Sequence, residues 1–385
     1  MKIFLIGNYE SLRQPSMQRF AEMLRDGLIA AGHEVRLALP PVVLGRMFPG
    51  NGGLAKWIGY IDRFLLYPLL LRRQVRWADI IHICDQANAV YIPHLRGKPH
   101  VLTCHDVLAI RAALGEIPQA PTRWSGRVYQ RWILRNLRRA ERVVCVSRHT
   151  EEEVRRLADL DGDRVQTVPN ALNYPYWPMP AEEAKARVQS LGIKPPFCLH
   201  VGGNEWYKNR AGVLQIFAAL VQKPGYQHHR LAVAGKRLTT ALRQSADNLG
   251  VRGRIVECGS VCGEDLRALY STADVLIFPS LAEGFGWPII EAQACGCPVA
   301  TSNRPPMTEV GGSAAIYIDP ESPKEAAALI ARGLGERERL RAKGLENDAR
   351  YSRQAMIEGY LEAYRKAIRE QQSSVSGCAA RKESL

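Results

Sequence analysis

The nine cysteines, at 84, 104, 145, 198, 258, 262, 295, 297 and 378, include no C-x-x-C pair. That argues against a redox or zinc module of ordinary ligand spacing. Most lie in apolar runs of strand length and read as small core residues. A four-thiol site from Cys258, Cys262, Cys295 and Cys297 would need two ligands straddling the single Gly296, so no metal site is expected. Long hydrophobic runs are lacking too. The most apolar stretch, YIDRFLLYPLLL at 60–71, is short and broken by Asp62, Arg63 and Pro68, so no segment is expected to cross a membrane. MKIFLIGNYE has too few apolar positions after Lys2 for a signal-peptide core, and a cytoplasmic location is the default expectation. Acidic residues are in deficit, 38 against 52 lysines and arginines, a net charge of +14. The excess lies mostly in the first half and no nucleic-acid motif accompanies it, so nucleic acid is not an expected partner. No repeat of the solenoid or propeller type is visible.

What is present is an alternation. KIFLIG, EVRLALP, DIIHIC, HVLTCHD and RVVCVS are strand-length runs separated by helical patterns such as FAEMLRDGLIAAG. Such alternation predicts βαβ units and a parallel sheet covered by helices. VPNALNYPYWPMP, at 168–180, is dense in proline, asparagine and aromatics and reads as a linker. The pattern then restarts with FCLHVGG, RLAVAG, RIVECGS, DVLIFPS and PVATSN. The fold class is therefore α/β, with two Rossmann-like parallel-sheet domains, 1–178 and 179–352, expected to face each other across a ligand-binding cleft. A last helical pattern at 353–370 is expected to pack back on the first domain, and the polar tail 371–385 to be disordered.

The stretch PSLAEGFGWPIIEAQACGCPVATSN, 279–303, holds the densest chemistry. DVLIFPS is a strand, LAEGFGW a loop and PIIEAQACG a helix, with Pro288 suited to its start and Gly296 to its stop. Gly284 and Gly286 let the backbone approach a ligand, and the helix start offers free N–H groups that suit phosphate oxygens. Glu291, one turn in, is within reach of a sugar diol, and Glu283 on the loop of a second set of hydroxyls. Phosphate in the middle with sugar at both ends outlines a nucleotide sugar. Taken singly, each glutamate also fits a solvated charge.

FPSLAEGFGWPIIEAQACGCPVATSN, continuing to MTEVGGSAAIYIDP at 307–320, closely resembles the signature of retaining glycosyltransferases of family 4, including its E-x7-E element. VPNAL, VCVSRHT and VGGNEWYKN extend the likeness over most of the chain. The resemblance implies the GT-B architecture, with the nucleotide sugar bound by the C-terminal domain and the acceptor by the N-terminal one. It implies that Glu283 contacts the donor sugar, that Phe285 and Gly286 offer backbone N–H groups to the diphosphate, and that Glu291 holds the ribose. In VGGNEWYKN, Gly202 and Gly203 form a close turn and Lys208 brings a point charge suited to a diphosphate, with Asn204, Asn209 and Arg210 as candidate helpers. Similar enzymes often carry a basic residue where Gly203 stands; this chain departs from them there. His105, at the carboxyl end of HVLTC, resembles a histidine placed near the donor sugar, positioning or polarising it. Asp106 reads either as an acceptor contact or as a helix cap. The first loop, GNYESLRQPSM with Asn8, lies at the acceptor edge. Neither a D-x-D metal motif in the donor region nor a bound cofactor is expected; Lys208 and the helix N-terminus are candidates to replace a metal ion electrostatically.

In PTRWSGRVYQRWILRNLRRAER, Arg127, Arg131, Arg135, Arg138 and Arg142 recur at helical spacing, with Trp124, Val128, Trp132 and Ile133 largely on another face. An arginine stripe suits an anionic bilayer or a lipid diphosphate acceptor; the simpler reading is a solvated face with the aromatics in the core. LAKWIGYIDRFLLYPLLLRRQVRW, 54–77, is either a flap over which an acceptor slides or a buried helix, and Pro68 should end or kink it. The expected partners are thus a nucleotide-sugar donor, a glycan, lipid-linked or small-molecule acceptor, and peripherally an anionic membrane. A GT-B sugar phosphorylase or epimerase is the alternative enzyme.

Overall fold

A computed structural model describes residues 1–9, 15–44 and 58–383, the side chains of Pro15 and of 374–383 excepted. Residues 10–14 of the first loop and 54–57 of the second apolar segment therefore lie outside the described residues. The chain divides into two compact units, Met1–Pro169 with Arg353–Leu385, and Asn170–Ser352.

The first unit is built on six parallel strands: β1 (Lys2–Ile6), β2 (Glu34–Ala38), β3 (Ile80–Ile83), β4 (His100–Cys104), β5 (Arg142–Cys145) and β6 (Val165–Thr167). Their order is β2-β1-β3-β4-β5-β6. β3, β4 and β5 are buried along their whole length, as central parallel strands with both faces covered should be. The second unit repeats the plan with β7 (Phe197–Gly202), β8 (Arg230–Gly235), β9 (Ile255–Gly259), β10 (Val275–Phe278), β11 (Val299–Ser302) and β12 (Ala315–Ile318), in the order β12-β11-β10-β7-β8-β9. The sequence patterns identify ten of these strands. The two they miss, β6 and β12, are short strands at a sheet edge, where half-burial blurs the apolar run.

Each sheet reverses its strand order once. In the first, β1 has β2 on one side and β3 on the other; in the second, β7 has β8 on one side and β10 on the other. At such a switch point the connections leave in opposite directions and a crevice opens beyond the carboxyl ends of the two strands.

Three expectations need revision. The stretch 168–180 does not behave as a free linker. The Arg267 guanidinium donates to Trp177 O and stacks on the Trp177 ring, Met179 N donates to Ser271 Oγ, and Tyr176 is buried, so the segment from Asn170 belongs to the second unit and the division falls before 178. The last helix does not stop at 370 but runs from Arg353 to Glu383. Its tail contains no proline, and one internal glycine, Gly377, costs only about 1 kcal/mol. The thiols are also not uniformly core: Cys262 is exposed and accepts from Asp265 N at a helix start.

The basic helix spans Trp124–Leu137. Arg142 lies beyond it, in β5, where it is buried and paired with Glu370 and the Asp163 carbonyl. Arg138 caps the helix end and donates to Leu157 O. The stripe thus shrinks to Arg127, Arg131 and Arg135, and of the accompanying apolar residues only Ile133 is in the core: Trp124 is 78% exposed, and Val128 and Trp132 also face solvent. The neighbouring segment is helical from 58 to 74, with a π-turn at Asp62–Leu66 directly before Pro68. The expected interruption takes that form because proline cannot donate to the preceding turn. The buried Asp62 carboxylate holds the turn, accepting from Val43 N, Leu44 N and Tyr9 OH. Leu65, Leu69 and Leu70 remain exposed, so this is a surface helix rather than a buried one.

The C-terminal helix packs against β4, β5 and the helix Pro15–Ala30, as expected of 353–370. The fastening is polar as well as apolar. His82 of β3, fully buried, bonds to Tyr364 OH through Nδ1 and to Thr103 Oγ1 (2.7 Å) through Nε2, and Thr103 Oγ1 also meets Tyr360 OH at 3.1 Å. Tyr364→Phe leaves a buried nitrogen of His82 without its partner. It should lower unfolding stability by about 1–3 kcal/mol, read as an earlier urea transition; an unchanged transition would show that the network contributes nothing.

Candidate active site

In the second unit the switch point lies between β7 and β10. The loops that follow these strands are tied together by Leu281 N donating to Tyr207 O at 2.7 Å. That contact brings Lys208 to Glu283, Nζ to Oε1, at 2.7 Å. Glu283 is 9% exposed and Lys208 little more, and the ammonium also lies over the rings of Phe278 and Tyr207. In so dry a place each charge depends on the other, and removing one strands its partner at several kcal/mol.

The helix Trp287–Ala294 starts three residues past Gly284. Gly286, at φ +102°, precedes it in the left-handed region that only glycine enters freely. Pro288 takes its second position and Gly296, at φ +72°, follows its end. Glu291, one turn in, is buried rather than solvated: it accepts from Tyr270 OH at 2.9 Å and from Asn173 Nδ2 at 3.4 Å. The ring of Phe285 packs edge-on against Trp287 and Tyr351, while Trp287 Nε1 donates to Ala171 O. Asn173, Ala171 and Tyr270 were not singled out from sequence; the first two sit in the stretch read as a linker, where VPNAL, which includes Ala171, was the available signal.

The turn after β7 is held from behind. Gly202 pairs with Gly235 of β8, and a Cβ on Gly235 would lie 2.2 Å from Gly202 O, so only glycine permits the approach. Arg210 clamps the turn by donating to Gly202 O and Lys236 O (2.6 Å each) and to Asn204 Oδ1. Asn204 in turn donates to Arg237 O. Asn209 caps the helix Arg210–Leu220 by accepting from Gly212 N, and donates to Pro279 O and Pro320 O. The side chains of Asn204, Asn209 and Arg210 thus bond within the loop and to its neighbours.

The first unit concentrates its polar groups at its own switch point, beyond β1 and β3. Asn8 Nδ2 donates to Asp85 Oδ2 and Asn88 Nδ2 to Asn8 Oδ1, each at 2.6 Å, with all three residues buried. Asp85 also accepts from Ala87 N. A cavity of about 220 Å³ adjoins Asn8, lined also by Gln18, Glu22, Leu37 and Leu39. His105 follows β4. Its Nε2 donates to Cys84 O at 2.9 Å, which leaves Nδ1 as the lone-pair nitrogen, and its backbone N donates to Gln86 Oε1. Burial pushes its imidazole below the ordinary value, with the Asp85 carboxylate pulling the other way. Asp106 Oδ1 accepts from Leu108 N at 2.9 Å, at the start of the helix Leu108–Leu114. Asp85, Gln86 and Asn88 were missed because CDQAN carries no motif; its position after a strand beside the reversal was the available signal. Among the described residues no group of three or more His, Cys, Asp or Glu side chains is placed to hold a metal ion, and no helix is long and apolar enough to cross a membrane.

Comparison with known proteins matches residues 17–174 to the Glycosyltransferase Family 4 model and 182–350 to the Glycosyl transferases group 1 model. The O-antigen chain mannosyltransferase B of Escherichia coli is 29% identical over 78% of this chain and 79% of its own length. A D-inositol 3-phosphate glycosyltransferase of Nocardia farcinica is 30% identical over 73% of this chain and 64% of its own. Among solved structures, Anabaena HepE in complex with UDP and glucose superposes with a TM-score of 0.74 at 16% identity, over 95% of this chain and all of that one. The likeness shows the GT-B fold.

Beneath the β7 turn, His200 donates from Nδ1 to Ile277 O at 3.0 Å. Burial drives its pKa from 6.5 down to about 3, and that of His82 likewise, with His105 adding to the latter shift. Both folded values lie below the unfolded one, so the unfolded chain takes up protons first. The stability is complete above pH 6.5 and is lost as the pH falls toward about 3, by up to about 1.4 kcal/mol per histidine per unit. Urea midpoints should hold between pH 8 and 7 and fall from pH 6 to 5; a flat profile contradicts the neutral buried histidines.

Proposed function

The chain belongs to glycosyltransferase family 4, and on that premise we propose that it moves a sugar from a nucleotide-diphosphate donor to a hydroxyl acceptor with retention at the anomeric carbon. The observation that carries this reading is the Lys208–Glu283 pair at the β7/β10 switch point, beside the helix start at Gly286 and one turn from the buried Glu291. Lys208 and the N–H groups of Phe285 and Gly286 hold the diphosphate. Glu291, already oriented by Tyr270 and Asn173, takes the two ribose hydroxyls, and Glu283 turns from Lys208 to the hydroxyls of the sugar. The similar E. coli and Nocardia proteins are named a mannosyltransferase and a D-inositol 3-phosphate glycosyltransferase, and HepE was solved with UDP, which supports a nucleotide-sugar donor and a hydroxyl-rich acceptor. The acceptor is assigned to the first unit, where the cavity beside Asn8 has room for one small polyol ring.

In the front-face reaction the bond from the anomeric carbon to the leaving phosphate oxygen breaks and that to the acceptor oxygen forms on the same face. The acceptor proton passes to the departing phosphate. The protein then contributes position and charge stabilisation. Lys208 and the helix start neutralise the leaving diphosphate, the role a metal ion fills elsewhere.

Glu283→Gln should depress turnover strongly without weakening nucleoside diphosphate binding, whereas Glu291→Ala should weaken that binding by about 1.5–3 kcal/mol. Calorimetry with UDP and GDP, beside initial rates, checks both; wild-type turnover in Glu283→Gln removes the sugar-contact assignment. Product formed from donor without acceptor would favour the phosphorylase or epimerase reading.

The surface helices of the first unit support a peripheral site of action at the inner face of an anionic membrane. Phe64 meets the Trp132 ring at 5.1 Å; Leu65 and Leu69 are exposed on the one helix and Trp124, Val128 and Trp132 on the other, the latter interleaved in sequence with Arg127, Arg131 and Arg135. Apolar residues ringed by arginine suit the boundary between headgroup and acyl chain. Each arginine should add about 1 kcal/mol of attraction that salt screens. Co-sedimentation with anionic vesicles should fall when the three are changed to Gln; equal binding to neutral vesicles, or none to either, refutes this.

A further inference from the structure

Glycine at 203 offers no side-chain charge, so a diphosphate bound at the β7 turn would face Lys208 alone. We propose that Lys236, from the loop after β8, supplies the second cation for the diphosphate, and that Glu205 holds it over Gly203 until a nucleotide displaces that carboxylate. The inference rests on the nucleotide-sugar reading above.

The register places the two positions side by side. Gly202 of β7 pairs with Gly235 of β8, so the residues that follow, Gly203 and Lys236, leave the sheet as neighbours. The Arg210 guanidinium bonds to both Gly202 O and Lys236 O and keeps them so. A Cβ built on Gly203 would lie 2.0 Å from Glu205 Oε2 and 2.8 Å from Oε1. The carboxylate therefore fills the space that a side chain at 203 would enter. Its Oε1 accepts from Lys236 Nζ at 2.6 Å. The ammonium missing from position 203 is thus delivered to the same place from one strand across.

The charges are arranged for exchange. Burial pushes the Glu205 carboxyl up, but its bond to Lys236 and the charges of Lys236 and Lys208 hold it below its ordinary value. The order Lys236, Glu205, Lys208, Glu283 alternates in sign. The two pairs differ in strength. Lys208 and Glu283 are largely buried, while Lys236 is 66% exposed, and an exposed pair is held weakly enough for a diphosphate to compete for its lysine. Nor is Lys236 needed for the core, since its side chain lies in solvent. Glycine at 203 follows from the same logic: any side chain there would collide with the carboxylate that docks the lysine.

The test is calorimetric titration of the full chain with UDP, GDP, ADP and dTDP, each beside its nucleoside, at low and high salt. Lys236→Gln should weaken the nucleoside diphosphate that binds by about tenfold and flatten its salt dependence, while leaving the nucleoside and the melting temperature unchanged. Lys236→Arg should restore binding to within about threefold. Glu205→Gln, which removes the competitor, should tighten it. Wild-type diphosphate affinity in Lys236→Gln overturns the proposal. So does equal weakening by Lys236→Gln and Glu205→Gln, the mark of a pair that only shapes the loop. A wild-type protein that binds none of the four diphosphates would instead refute the nucleotide-sugar reading itself.

Discussion

The reversal of strand order between β7 and β10 is the constraint on which the candidate donor site depends. Because the connections leave these strands in opposite directions, no helix covers their carboxyl ends, and the loops that follow them can meet. One backbone bond, Leu281 N to Tyr207 O, fastens the loops, and the Lys208–Glu283 pair forms between them. An ion pair so little exposed gains little for stability over an apolar substitute, since desolvation consumes most of the Coulomb energy. Under the proposed function its value lies in use: a dry lysine held by a carboxylate offers a diphosphate a preorganised cation whose counter-charge can be exchanged.

Around that pair the chain spends its polar side chains on shape. Arg210, Asn204 and Asn209 bond chiefly to backbone oxygens. The glycines do the complementary work: Gly235 admits the Gly202 carbonyl, and Gly286 turns the chain into the helix whose N–H groups face outward. The first unit shows the same economy at β1/β3, where Asn8, Asp85 and Asn88 satisfy one another in a buried network. Buried polar groups are costly unless fully bonded, so such a cluster at a switch point rather than in the body of the core is a feature of the site.

The surface of the first unit breaks the ordinary rule in the other direction. Trp124, Val128 and Trp132 recur four residues apart and would pass for a core stripe, yet they face solvent, and Leu65 and Leu69 do the same on the adjoining helix. The inward face of Trp124–Leu137 is supplied by Ile133, Leu134 and Leu137. Large apolar residues left exposed four residues apart along one helix are the kind of stripe that marks an interaction surface.

How much of this was legible follows from what each residue depends on. Strand runs, the two-fold repetition of the α/β pattern, the loop–helix unit from Leu281 to Gly296 and the family likeness are local properties. Spacing, glycine and proline positions specify them, and the sequence alone carried them. The last helix's attachment to the first unit was readable from its pattern, though not its length. Tertiary structure alone decided the rest. Pairing across a parallel sheet joins residues far apart in the chain, such as Lys208 with Glu283 or Gly203 with Lys236, and no local periodicity encodes which loops will adjoin. For the same reason the sequence could name Asn204, Asn209 and Arg210 as polar and well placed but not reveal that neighbouring carbonyls claim them. It could place Trp124 and Trp132 on one helical face but not say which face the sheet would cover, because that depends on the elements packed against the helix.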